Sequence, residues 1–228
     1  MLDIGANLKN VRQRIRTAAQ RAGRDPDEIT LLAVSKRIDR ARIEAGVHAG
    51  VHALGESRVQ DAEQKIPDIE GDVEWHFIGP LQSNKAAMAA RLFDVIHSVR
   101  RASLVPRLAT SAAAADRTVR IYVQIEPSAE PLPAATIEHT EAMCRTVKQS
   151  DGLQLEGVMT MAPYDPDPEA SRPYFVTLRR LRDDVAAAAP ELPPLGLSMG
   201  MSGDFEVAIE EGATIVRVGT AVFGERPY

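Results

Sequence analysis

The chain has 228 residues, 44% of them hydrophobic, enough for a substantial core in one large α/β domain or two small ones. Thirty-two acidic residues against 27 basic ones give a formal net charge of -5, so no global positive field exists to hold nucleic acid or an anionic membrane. A single cysteine, Cys144, excludes an internal disulfide, and the absence of a long apolar stretch or a charged leader behind Met1-Leu2-Asp3-Ile4 leads us to expect a soluble, cytoplasmic protein.

In chain order, a leading helix over about Asn7 to Ala22 precedes short apolar runs that alternate with longer amphipathic segments. The runs centre on Leu31 to Ser35, Val51 to Leu54, Trp75 to Ile78, Val95 to Ser98, Val119 to Ile125, Leu155 to Met159, Leu195 to Ser198 and Ile215 to Val218. Helical patterns between them include Arg40 to Ala45, Val59 to Ile66, Asn84 to Leu92, Thr136 to Lys148, Glu169 to Ala189 and Asp204 to Glu211. Gly23, Gly46 and Gly212 are placed to end helices. Pro127 to Pro133 and Pro163 to Pro168 fit loops after strands, because the βα pattern resumes on both sides. Strand-helix alternation of this kind predicts a single (β/α)₈ TIM-type barrel over residues 1–228 with an extra N-terminal helix. The runner-up is a doubly wound sheet, but no G-x-G-x-x-G turn follows any strand.

A barrel gathers its chemistry where strands end, so those ends are the places to read. Lys36 leaves the apolar run Leu31-Leu32-Ala33-Val34 directly. Turned inward, its amine would lose hydration and become a nucleophile fit for a Schiff base; turned outward, it is a solvated lysine. Ser202 and Gly219-Thr220, after the last two strands, can converge hydroxyls and backbone N–H groups on a phosphate, or can simply cap helices, Ser202 heading the one with Phe205 and Ile209. Arg217 lies between Val216 and Val218 and must find an acceptor, either a carboxylate such as Glu56 or a ligand atom. His76 beside Trp75 reads as a packed core histidine or as the edge of a flat ligand site. Ser83 reads as an N-cap, and Cys144 as a packed or surface thiol rather than a nucleophile. Met159, Met161, Met199 and Met201 are core fillers or a cofactor face, and the pairs Arg100-Arg101 and Arg179-Arg180 are solvated helix faces.

Five ordered motifs carry a resemblance across nearly the whole chain. They are Leu31 to Lys36; Gly55-Glu56 with Val59-Gln60; Trp75 to Gly79 with Leu81 to Lys85; Leu197 to Ser202 with Asp204; and Val216 to Gly224. Together they resemble the pyridoxal phosphate homeostasis proteins, a family similar to the barrel half of alanine racemase. Ser57 and Pro80 depart from the family pattern, which often has Asn and His or Gln there.

The resemblance implies that Lys36 holds pyridoxal 5'-phosphate as a reversible lysine aldimine, with Ser202, Gly219 and Thr220 on its phosphate. It also implies Arg217 at the pyridine nitrogen, and Ser198 and Met199 near the ring and phosphate. The implied function is to hold and deliver the cofactor, with apo-enzymes dependent on pyridoxal phosphate as receivers, in a monomer without substantial turnover. An amino-acid racemase of the same fold is the alternative. Such an enzyme needs a second acid/base from an additional β domain, and that domain is expected to be absent because the chain stops at Tyr228. A Schiff-base aldolase or phosphosugar isomerase shares the barrel but lacks a clear carboxylate base at a second strand end.

Overall fold

Eight parallel strands close into a barrel in order β1 to β8 in the computed structural model, which describes residues 2–225. The strands are β1 (Thr30–Val34), β2 (Ala53–Glu56), β3 (Glu74–Phe77), β4 (Val95–Val99), β5 (Val119–Gln124), β6 (Leu153–Met159), β7 (Gly196–Ser198) and β8 (Ile215–Val218). The helices around them are α1 (Ile4–Arg21), α2 (Arg40–His48), α3 (Val59–Lys65), α4 (Ala86–Leu92), α5 (Val105–Ala114), α6 (Ala134–Lys148), α7 (Arg172–Ala188), α8 (Phe205–Glu210) and α9 (Thr220–Phe223).

Strand periodicity decides what faces the axis, because successive side chains point to opposite faces. Leu32, Ala53, Val95, Tyr122, Met159 and Ile215 pack together inside the barrel. Their neighbours in sequence, such as Ala33, Leu54, Ile96, Ile121, Val158 and Val216, pack outward in the much larger cluster shared with the helices. A strand buried on both faces must be apolar at nearly every position, which is why these segments read as continuous runs. Helix α1 follows the opposite logic: Leu8, Val11, Ile15 and Ala18 form one buried stripe, packed toward α8 and α9. Asp3 caps it, accepting from the Ala6 N–H at 2.9 Å. No helix among the described residues is long and apolar enough to cross a membrane.

Several expected boundaries move. The second strand begins at Ala53 rather than Val51, and the last long helix begins at Arg172 after a 3₁₀ turn over Pro168–Ser171. Gly46 does not end α2, which runs on to His48, and the break falls at Gly50 with φ +98°. Gly46 is a packing glycine instead, since a Cβ there would stand 2.9 Å from the Phe223 ring. Gly23 and Gly212 do end helices, both at positive φ. Ser83 opens a 3₁₀ turn whose N-cap is Gln82 and makes no capping bond there. Arg100 and Arg101 follow β4 in a rim loop rather than lying on a helix, and Arg100 pairs with Glu126.

Candidate functional site

The chain leaves β1 through a tight turn that carries Lys36. Its closing bond runs from the Ile38 N–H to the Ser35 carbonyl at 3.0 Å, and Arg37 adopts φ +59°, a left-handed conformation uncommon outside glycine. Behind this turn Glu56, fully buried, accepts from the Ser35 hydroxyl at 2.8 Å and from Lys65 Nζ at 2.8 Å. Lys65 Nζ also donates to the Ser35 carbonyl at 2.9 Å, so a part-buried ion pair clamps the residue before Lys36. Lys36 itself is half-buried, two residues beyond the inward-facing positions of β1.

On the adjoining strand, Arg217 pairs in register with Leu32 and therefore points into the barrel one layer below the rim. Arg217 is buried, and burial pulls its pKa down to about 10, with the Asp204 carboxylate opposing. It stays a cation at neutral pH. Its partner is not Glu56, which faces outward and is taken by Lys65. The guanidinium donates instead to the Ser198 hydroxyl and to the Thr160 carbonyl, both at 2.8 Å. Five N–H donors less these two leave the group able to serve a ligand.

The loops after β7 and β8 are joined by the Gly219 N–H, which donates to the Ser202 hydroxyl at 3.1 Å. Ser202 is thus not the cap of α8; Asp204 occupies that position. The Asp204 carboxylate accepts from the Met201 N–H at 2.6 Å and from the Ser171 hydroxyl at 2.9 Å, which fixes the loop. Gly200 turns at φ +89°, and a Cβ there would strike the Ala208 methyl at 2.5 Å. Thr220 opens α9 with its side chain exposed.

The remaining expectations divide. Ser198 lies inward on β7, whereas the Met199 side chain is fully buried in the outer cluster, leaving its main chain at the strand end. The four methionines form no common face: Met159 is internal, Met161 is exposed and Met201 is half-buried. Cys144 is buried on α6, and burial raises its pKa to about 12, as a packed thiol requires. His76 is buried and hydrogen-bonded to His97, at 2.8 Å. His97 and the Thr160 carbonyl escaped the sequence reading. His97 gives a weak signal, a polar residue in an otherwise apolar run, while a backbone carbonyl gives none.

The profile of the alanine racemase N-terminal domain family matches residues 6–227. The pyridoxal phosphate homeostasis protein of Pseudomonas aeruginosa is 39% identical over 230 residues, covering all of this chain and 98% of that protein. Its counterpart in Escherichia coli K12 is 38% identical over 234 residues, covering 100% and 99%. The chain belongs to the pyridoxal phosphate homeostasis protein family. PipY of Synechococcus elongatus, solved with pyridoxal phosphate bound, superposes with a TM-score of 0.83 at 34% identity, over 97% of this chain and all of that one. Alanine racemase of Clostridium difficile shares the fold, with a TM-score of 0.74 at 12% identity over 57% of its length. The barrel expected for the family is the one observed.

Proposed function

We propose that residues 1–228 act as one monomeric, cytoplasmic unit that binds pyridoxal 5'-phosphate reversibly, buffers it and hands it to apo-enzymes, with no substantial turnover of its own. The observation that carries this reading is the pairing of β1 with β8. It brings a half-buried amine, Lys36, and a buried guanidinium, Arg217, to adjoining strands beside the linked Ser202 and Gly219. The donor set fits the cofactor's chemistry: an amine for its aldehyde, hydroxyls and N–H groups for its phosphate, and a cation for its ring nitrogen. Relatives named for pyridoxal phosphate homeostasis over their full length, and a PipY structure with the cofactor bound, support the same reading.

When bound, the cofactor supplies an aldehyde that condenses reversibly with amines. In our reading Lys36 would hold the cofactor through that aldehyde, the clamped Ser35 turn would orient the amine, and Ser202, Gly219 and Thr220 would hold the phosphate. Ser198 orients Arg217, and Met199 contributes main chain only. Arg217, a cation at neutral pH, would disfavour protonation of the ring nitrogen and so weaken the electron sink that carbanion chemistry uses. The racemase alternative is supported by the shared fold alone.

The test is borohydride reduction of the loaded protein followed by peptide mapping. Pyridoxyl should appear on Lys36, and Lys36→Ala should abolish the reducible adduct. Label on Lys65, Lys85 or Lys148 would overturn the site. D-isomer or keto-acid formation from L-amino acids that vanishes in Lys36→Ala would replace the carrier with an enzyme, and failure to reactivate an apo-enzyme would remove the delivery role.

A further inference from the structure

A line of polar side chains crosses the barrel interior from Arg217 to the opposite mouth. Arg217 donates to the Ser198 hydroxyl, which lies 2.8 Å from His97 Nδ1. His97 Nε2 lies 2.8 Å from His76 Nδ1, and His76 Nε2 contacts the Glu74 carboxylate. Glu74 also accepts from Arg120. The two ends fix the direction of every hydrogen bond between them. A carboxylate can only accept, so His76 Nε2 carries a proton, and a neutral His76 then accepts at Nδ1. His97 must donate from Nε2 and accept at Nδ1, which leaves the Ser198 O–H as donor to His97 and the Ser198 oxygen as acceptor from Arg217. Both histidines are held neutral, their pKa values lowered first of all by burial, His97 the more strongly. Tyr122 stacks on His97 at 4.7 Å between centroids and 14° between planes, fixing the ring.

Aligned donors of this kind polarise one another in a low-dielectric interior. Both acceptors on Arg217 itself are neutral, and the relay ends on a carboxylate. That carboxylate stands in a cavity of about 350 Å³ at the mouth formed by strand beginnings, lined among others by Glu28, Glu74, His76, Arg120 and Glu156. This is the mouth opposite Lys36.

We propose that Ser198, His97, His76 and Glu74 form a one-way relay that positions Arg217 and carries the charge state of the far mouth to it. Ser198 and His97 are then positioning residues for the group at the cofactor's ring nitrogen. No bond forms or breaks along the relay; only its polarisation changes. The inference rests on the proposed function for its consequence but not for its first readout.

The test begins with the cofactor-free protein, in which nitrogen-resolved NMR reads the two rings. His97 and His76 should both be neutral and protonated at Nε2. Glu74→Gln keeps an acceptor and removes the charge, and should move the resonances of His97 as well as those of the adjacent His76. Ser198→Ala should in turn move His76, two links away, which keeps the test available if the first variant does not fold. In the loaded protein, Ser198→Ala should weaken pyridoxal phosphate binding by about ten- to a hundredfold, the scale of one charge-assisted hydrogen bond, and Ser198→Thr should restore it. A His97 protonated at Nδ1, or shifts confined to the immediate neighbour of each substitution, would overturn the relay. Wild-type protein that takes up no pyridoxal phosphate, with the tautomers as stated, would overturn the proposed function and leave the relay standing.

Discussion

At the scale of single residues, the rim is built from groups that hold one another before any ligand arrives. The Gly219 N–H already faces the Ser202 hydroxyl, and the Thr220 hydroxyl is exposed beside them. In the proposed site a phosphate would exchange water for oriented donors, and a charge-assisted hydrogen bond contributes about 1.5–3 kcal/mol. Thr220→Val should therefore weaken binding of pyridoxal phosphate by that amount while leaving unphosphorylated pyridoxal, the weaker ligand throughout, almost unaffected. Calorimetric titration of both ligands checks this, and equal affinity for the two in the wild type would sink the phosphate assignment. Sequence could nominate Ser202 and Thr220 because each alone reads as a helix cap, whereas hydroxyls beside glycines at the ends of two adjacent strands can converge on one anion. It could not tell that Ser202 serves a neighbouring loop instead of its own helix, because that depends on where β8 ends in space.

At the scale of elements, most strands announced themselves through apolar runs, but the closeness of one pair did not. Gly157 on β6 stands opposite Gly196 on β7, and a Cβ at Gly157 would lie 2.1 Å from the Gly196 carbonyl oxygen. The β5 to β6 ladder shifts register just before this point, between Ile121 and Tyr122. A side chain would have to push backbone against backbone. Gly157→Ala should cost about 1–3 kcal/mol, the usual range for overpacking, read as a lowered urea midpoint with unchanged slope. An unchanged midpoint would mean that the ladder yields freely there. Gly46 teaches the same lesson from the helix side: a glycine that looks like a stop signal can be a contact surface, and only the Phe223 ring reveals which.

At the scale of the molecule, two buried neutral histidines make stability depend on pH. Unfolded histidines titrate near pH 6.5, whereas burial lowers both His76 and His97 in the folded barrel. Below about pH 6.5 the unfolded chain therefore takes up protons that the folded chain refuses, and stability falls by up to about 1.4 kcal/mol per pH unit for each ring until the folded values are reached. Glu74, its pKa lowered by the hydrogen bond from His76, contributes stability that is present above about pH 4.3 and is lost as pH falls through its lower folded value. Urea unfolding at pH 8, 6.5 and 5.5 should show this decline, and His97→Gln, which does not titrate, should flatten it. Equal stability at pH 8 and 5.5 in the wild type would show that the rings are protonated in place.

The sequence by itself determined the barrel, the strand ends and the residues Lys36, Arg217, Ser202, Gly219 and Thr220 as candidates, because strand periodicity and loop chemistry are local properties. It also carried family membership, since ordered motifs survive without coordinates. Tertiary structure alone decided the partners. Arg217 meets Ser198 and Thr160 rather than Glu56, and Glu56 turns outward to Lys65. The relay through His97 and His76 joins β3, β4, β7 and β8 across the barrel interior. Contacts between residues 101 positions apart, as in the His97 and Ser198 pair, are set by how strands stack around a closed sheet, and no local pattern encodes them.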